Sequence, residues 1–186
     1  RAGQAGAAMT APPRVDTDRL VLAPPEAADA VAIFERYASD ADVTRYVGWP
    51  RHRSLADTEA FLAFSADEWA RAGAGPYLIR SRLDGGLLGS TGVHMDHAGV
   101  AMTGYVLAKD AWGMGYATEA LRAMIDVARG MGVGRLYALC HPDHRPSWHV
   151  LEKAGFTRDP AWTRQVEFPN LAPGVLQHVR CYALRP

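Results

Sequence analysis

The chain has 186 residues, a formal net charge of +0, 48% hydrophobic residues and 22% charged residues. That length suits one domain with a sizeable core. The balanced charge leaves no electrostatic footprint for nucleic acid, and no apolar run approaches the roughly 20 residues of a membrane span. Cys140 and Cys181 sit in β-like surroundings and read as free buried thiols in a reducing, cytoplasmic setting rather than as a disulfide.

Residues 1–13 are rich in Ala, Gly and Pro and have no apolar signal segment after Arg1. They read as a leader or an artificial remnant ahead of one domain at 14–186. Residues 17–22 form a first predicted strand, ended by Pro24 and Pro25. Ala30, Ile33, Phe34 and Tyr37 recur at helical spacing within 26–39, and 40–50 is a loop or short helix. Ser54 with Asp57 three residues on predicts a helix start. That helix runs through Phe61, Leu62, Phe64 and Trp69 to about Ala72. Three strands follow at 76–80, 87–95 and 100–107, joined by turns at 84–86 and 97–99.

Ala117, Ala120, Leu121, Met124 and Ala128 then make one apolar stripe, with Glu119, Arg122, Asp126 and Arg129 on the other side. Gly130, Gly132 and Gly134 end this helix. A strand at 135–140, a short helix at 147–154 and strands at about 162–168 and 177–184 complete the chain, with Pro169 and Pro173 in the last loop. No repeat or linker interrupts it, and the order β-α-α-β-β-β-α-β-α-β-β is that of an α+β domain.

The string Ala111-Trp112-Gly113-Met114-Gly115-Tyr116-Ala117-Thr118-Glu119-Ala120-Leu121 carries the strongest chemical signal. Two close glycines leave backbone amides accessible, and a helix start adds unpaired N–H groups and a positive dipole end. Such a turn seats a phosphate or pyrophosphate. No Gly-Lys-Ser/Thr follows, so it is not a Walker loop. Thr118 stands where the dinucleotide fingerprint needs Gly or Ala, and no βαβ layout surrounds it.

The string resembles the pyrophosphate signature Q/R-x-x-G-x-G/A of the GNAT acyltransferases, apart from its first position. In full it is similar to the branch that acetylates ribosomal-protein N-termini (RimJ/RimL-like). Thr17-Asp18-Arg19-Leu20-Val21-Leu22 matches that branch's opening T-x-R-L-x-L. His144 to Phe156 resembles its N-x-x-S-x-x-V-L-E-K-x-G-F segment, with His144 in place of Asn.

The resemblance implies a mixed sheet of about seven strands, splayed in the middle, with about four helices. It implies an acetyl-CoA-dependent N-acetyltransferase acting by direct attack of a primary amine in a ternary complex, without a metal. Trp112, Gly113, Met114, Gly115, Tyr116, Ala117 and Thr118 would hold the pyrophosphate. Backbone groups of Tyr105, Val106 and Leu107 would pair with the pantetheine arm. Ser147 would face the thioester sulfur and protonate or steady the thiolate, because Leu151 stands where many relatives carry an acidic Tyr. His144 would hydrogen-bond the arm or the amine.

The purely structural readings are Ser147 as helix N-cap, Gly155 as helix stop and His144 as a solvated loop residue. His94, Asp96 and His97 read as a polar cluster at a turn or as the place of a water-linked base. Tyr46, Trp49, Trp69, Trp148 and Trp162 read as acceptor-pocket walls or packing anchors. Cys140, His141, Asp143 and His144 lack a second ligand pair for zinc. The resemblance implies an acceptor that is a protein N-terminus or a small-molecule amine, and a homodimer is an option that relatives use. A non-catalytic acyl-CoA sensor and a transferase of larger acyl groups are the alternatives.

Overall fold

Strand and helix formers fall close to where their periods predict. A computed structural model describes residues 9–186. Strands β1 (Val15–Asp16) and β2 (Leu20–Ala23) lead into a helical segment centred on α1 (Ala30–Ile33). This segment opens as a 3₁₀ turn at Ala27–Asp29 and closes as a π turn at Phe34–Ala38. The sequence predicts one uniform helix there. The last turn widens because the Phe34 carbonyl accepts both the Ser39 N–H at 3.1 Å and the Ser39 hydroxyl at 2.6 Å. Helix α2 (Leu55–Ala72) starts at the predicted Ser54–Asp57 capping box.

The chain continues as β3 (Pro76–Ser81), β4 (Leu87–His97), β5 (Val100–Leu107), α3 (Tyr116–Gly130), β6 (Arg135–Cys140) and α4 (Arg145–Lys153). It ends with β7 (Thr157–Arg158), β8 (Gln165–Glu167), β9 (Leu176–His178) and β10 (Arg180–Leu184). The main sheet has eight strands in the order β1-β2-β3-β4-β5-β6-β10-β7, and β8 with β9 forms a separate ribbon. The predicted strand at 162–168 shortens to β8, and the one at 177–184 divides into β9 and β10.

Helix α3 buries Ala120, Leu121, Met124 and Ala128 with Ile125 and Val127 against one sheet face. Leu121 and Met124 have no exposed surface, and burial of such side chains is worth about 1.5–3 kcal/mol each. On the other face Ile33, Tyr37, Val43, Leu78 and Leu87 form a second core under α1 and α2. The leader assigned to residues 1–13 falls partly outside the described residues. Within them, the Ala11 N–H donates to Gly73 O at 2.7 Å and the Tyr77 hydroxyl to Pro12 O at 2.5 Å. Among the described residues no helix is long and apolar enough to cross a membrane.

Strands β5 and β6 are parallel, and their pairing covers only Val100↔Arg135, Ala101↔Leu136 and Met102↔Tyr137. Beyond Met102 each follows its antiparallel partner. β5 stays with β4 as far as Leu107↔Gly89, and β6 stays with β10 as far as Cys140↔Arg180. The sheet therefore parts in the middle, and the gap widens toward the start of α3.

Candidate active site

The mouth of the gap is the glycine turn. β5 ends at Leu107, a 3₁₀ turn at Lys109–Ala111 redirects the chain, and the Trp112 indole N–H ties back to Leu107 O at 2.9 Å. Gly113 (φ 74°) and Gly115 (φ 79°) are left-handed, a conformation that side-chain-bearing residues adopt only with strain. Residues Trp112 to Gly115 are exposed, and Tyr116 to Thr118 are half-buried. The first backbone bond of α3 runs from Glu119 N–H to Gly115 O at 3.1 Å, so the amides ahead of it are the helix's unpaired donors.

The opening strand motif locks this turn in place. Glu119 accepts the Thr17 hydroxyl at 2.6 Å, the Arg19 backbone N–H at 2.8 Å and the Arg19 Nε at 2.7 Å. Burial pushes the Glu119 carboxyl up, and those three bonds with the Arg19 charge outweigh it, holding its pKa below the usual carboxylate value. Arg19 also donates to Met114 O at 2.8 Å and lies 4.5 Å from the Tyr116 ring centroid. The T-x-R-L and glycine-turn motifs, a hundred residues apart in sequence, are thus two halves of one clamp. Beside the turn runs an open groove of about 1030 Å³ bordered by Arg14, Arg19, Arg122 and Lys153, with Asp16 and Asp126 among them.

Inside the gap the backbone alternates. The Thr91 hydroxyl donates to Gly104 O at 2.7 Å, and a Cβ on Gly89 would stand 2.0 Å from Val106 O. Gly104 and Val106 therefore turn their carbonyls to β4, and Thr103, Tyr105 and Leu107 face the gap. Of the three residues named for the pantetheine arm, Val106 presents its backbone to β4, and Leu107 O is already held by Trp112. Alternation alone could have found this, had the edge of β5 facing β4 been fixed.

The Tyr105 side chain crosses to α4. Its hydroxyl donates to Ser147 O at 2.5 Å and lies 3.1 Å from Ser147 Oγ. Burial pushes the phenol's pKa well above its ordinary value, so it stays protonated. Sequence reasoning valued Tyr105 for its backbone and missed this side-chain contact, which depends on where α4 packs. Cys140, one strand away, is a free thiol pushed up to about 12 by burial, which makes it a poor nucleophile.

One expectation is corrected here. Helix α4 starts at Arg145, and its N-cap is His144 rather than Ser147. Pro146 has a fixed φ and needs no N–H partner in a first turn, so the helix begins earlier. Ser147 sits inside that turn, donates its backbone N–H to His144 O at 3.1 Å and keeps its hydroxyl for Tyr105. At the far end Gly155 follows the cap residue Ala154, with the Phe156 N–H bonded to Leu151 O at 3.0 Å.

His144 is half-buried and stacks on Tyr46 at 4.7 Å and 19°, with His141 5.0 Å from the same ring. Burial, then the neighbouring His141, lowers the His144 pKa, so the imidazole is neutral near pH 7. His141 in turn meets Phe168 edge-on at 4.9 Å, and its Nε2 lies 3.1 Å from Gln177 Oε1. This aromatic wall lies next to Ser147. The loop carrying Tyr46 is held by Asn170, which donates to Thr44 O at 2.7 Å and Trp49 O at 3.0 Å and accepts from Arg51 N–H at 2.8 Å. Nothing in the sequence marks Asn170 for this.

The other aromatics divide by packing. Trp69 bonds Pro76 O, Trp148 lies under Arg180, and Trp162 packs on Tyr137 between Arg135 and Arg164. Trp49 joins the core under α1 and α2. His94 pairs with Glu68 at 2.7 Å, Asp96 accepts from the Tyr137 hydroxyl at 3.1 Å, and His97 is exposed.

The chain belongs to the GNAT acetyltransferase family: a family model described as an acetyltransferase (GNAT) domain matches residues 19–157. The N-acetyltransferase YoaA of Bacillus subtilis, itself uncharacterised, is 28% identical over 165 residues, which span 87% of this chain and 92% of that protein. A GNAT-family acetyltransferase from Bacillus anthracis superposes with a TM-score of 0.77 at 25% identity, covering 92% of this chain and 98% of that one. RimL, a ribosomal alpha-N-protein acetyltransferase solved with coenzyme A, gives a TM-score of 0.79 at 20% identity over 92% of this chain and 97% of its own. At that identity the likeness speaks for the fold.

Proposed function

We propose that residues 14–186 act as a single domain that transfers an acetyl group from acetyl-CoA to a primary amine. The observation that carries this reading is the gap between β5 and β6, which opens beside Ser147 and Tyr105 with the glycine turn at its mouth. Backbone N–H groups from Gly113 through Thr118 hold the pyrophosphate, aided by the helix dipole. The Tyr105 backbone pairs with the pantetheine arm as an added strand. Arg14, Arg122 and Lys153 face the nucleotide end in the open groove.

The amine nitrogen attacks the thioester carbon, and the sulfur leaves as a thiolate. The Ser147 hydroxyl steadies that sulfur with a hydrogen bond, the proton shed by the amine goes to solvent and the thiolate is protonated from solvent, and Tyr105 behind Ser147 keeps the serine in place. Neutral His144 offers a donor or an acceptor at the gap, and its stacking on Tyr46 fixes the ring plane. The aromatic wall of Tyr46, His141 and Phe168 supplies one side of the acceptor site. Free Cys140 and Cys181 support a reducing, cytoplasmic setting.

Calorimetry with coenzyme A, followed by free-thiol release from acetyl-CoA over a panel of peptides, polyamines and small amines, tests the proposal. Binding with amine-dependent thiol release is the expected result. Binding with no release for any amine returns the sensor reading, and no binding heat overturns both.

A further inference from the structure

We propose that Asn170 is a positioning residue for the acceptor: it holds the loop of Tyr46 against His144, and the wall so formed selects amines with an aromatic group beside the nitrogen. The proposal rests on the acetyl-transfer reading above. It adds a residue beyond 157, where the family match ends.

The segment from Thr44 to Arg51 contains no helix or strand. Among the described residues the backbone of 45–48 makes one backbone bond, from Val47 N–H to Thr44 O at 3.3 Å. Tyr46 therefore receives little order from its own neighbours, and fixing it costs conformational entropy that something else must offset. Asn170 does so from 119 to 126 residues away. Its Nδ2 donates to Thr44 O at 2.7 Å and to Trp49 O at 3.0 Å, and its Oδ1 accepts the Arg51 N–H at 2.8 Å. A carboxamide supplies two donors and an acceptor together, and all three are used. An aspartate of the same shape would turn an acceptor toward two carbonyls.

The turn that carries Asn170 braces the other half of the wall. Phe168 is 3% exposed and meets the His141 ring edge-on at 4.9 Å. Its carbonyl accepts the Leu171 N–H at 2.9 Å and the Ala172 N–H at 3.0 Å, so Asn170 stands in a closed turn. Tyr46 lies 5.0 Å from the His141 ring and stacks on His144 at 4.7 Å. The His144 carbonyl in turn accepts the Ser147 N–H at 3.1 Å. Contacts thus run unbroken from Asn170 through Tyr46 and His144 to the residue placed at the leaving sulfur.

The four rings carry no charge. His141 Nδ1 accepts the Asp143 N–H at 3.1 Å, so its proton sits on Nε2, which lies 3.1 Å from Gln177 Oε1. Burial holds His144 neutral as well. The charged neighbours stand at the rim: Arg45 is exposed, 5.5 Å from the Tyr46 centroid, and the Asp143 side chain is 79% exposed. Tyr46 and His144 are half-buried and keep ring surface open to a substrate. Such a surface takes an aromatic side chain by stacking or edge contact. With no carboxylate among the rings, a polyamine finds no partner there for its second charge.

Free-thiol release with L-phenylalaninamide and with glycinamide tests this, because the two amines differ only in the benzyl side chain. Wild type is expected to favour phenylalaninamide in kcat/KM by about tenfold or more. Asn170→Ala is expected to lower that kcat/KM about tenfold through the amine KM, leaving glycinamide, the acetyl-CoA KM and coenzyme A binding heat within about twofold. Asn170→Asp fills the same volume and is expected to lose as much, which serves if Asn170→Ala no longer binds the coenzyme. Tyr46→Ala is expected to match them, and the double variant Asn170→Ala with Tyr46→Ala to lose no more than Tyr46→Ala alone, since the asparagine acts through that ring. A mere staple would slow both amines alike and add its loss to that of Tyr46→Ala. Equal losses for the two amines, additive losses, a wild type that favours glycinamide, or release with other amines but not phenylalaninamide would overturn the assignment. No release with any amine, or no binding of coenzyme A, would instead bring down the acetyl-transfer reading beneath it.

Discussion

Gly115 sits where three demands meet: a left-handed backbone, the first helical amides of α3 and the Arg19 guanidinium, whose Nη2 lies 3.4 Å from where a Cβ would stand. Gly115→Val is expected to weaken coenzyme A binding by tenfold or more in calorimetry, since the left-handed backbone costs about 1–2 kcal/mol before any contact is lost. Ser147 and Glu119 separate chemistry from scaffolding. Ser147→Ala is expected to lower kcat by roughly 10–100-fold with KM for acetyl-CoA unchanged, because in the proposed reaction the hydroxyl meets the leaving sulfur and not the pyrophosphate. Glu119→Gln acts on stability. The Glu119 pKa is depressed in the folded state, so its contribution is full above the ordinary value of 4.5 and is lost as pH falls through the folded value. The melting-temperature difference between wild type and Glu119→Gln, equivalent to about 1–2 kcal/mol at pH 7, is therefore expected to shrink on acidification below that value.

At the scale of elements, the opening strand, α3 with its glycine turn and the parted pair β5/β6 behave as one device. Thr17 and Arg19 fix α3 by its first turn, α3 fixes the glycine turn, and the turn sits where β5 leaves β6. Gly104 tests the gap directly. With nothing near its Cβ position and an extended backbone, Gly104→Val meets no clash and removes backbone freedom from the unfolded chain. Its melting temperature is expected to hold or rise, while amine-dependent kcat/KM falls as the open surface at the edge of the gap fills. Local signals predicted these elements well where each end carries its own chemistry. The Ser54–Asp57 box opened α2 and the glycine turn opened α3. They predicted poorly where the end depends on something distant. The π turn at Phe34–Ala38 follows from Ser39, and the early start of α4 puts Ser147 inside a helix rather than at its cap.

For the molecule as a whole, coenzyme A in the gap would bridge α3, β5 and α4 and bind only the folded chain. At about a hundred times Kd it is expected to add ~2.7 kcal/mol of stability, read as a rise of several degrees in melting temperature. The sequence by itself determined the layering of the domain, the glycine turn ahead of α3 and the family, because hydrophobic period, glycine spacing and capping residues act over a few neighbours. Tertiary structure alone decided which backbone edge of β5 faces the gap, that the Tyr105 side chain meets Ser147, that His144 stacks on Tyr46, and that Glu68 pairs with His94. Each of those pairs joins residues brought together by the packing of separate elements. Chain spacing carries no record of which helix crosses which strand, so only the packed sheet and its two cores could bring them into contact.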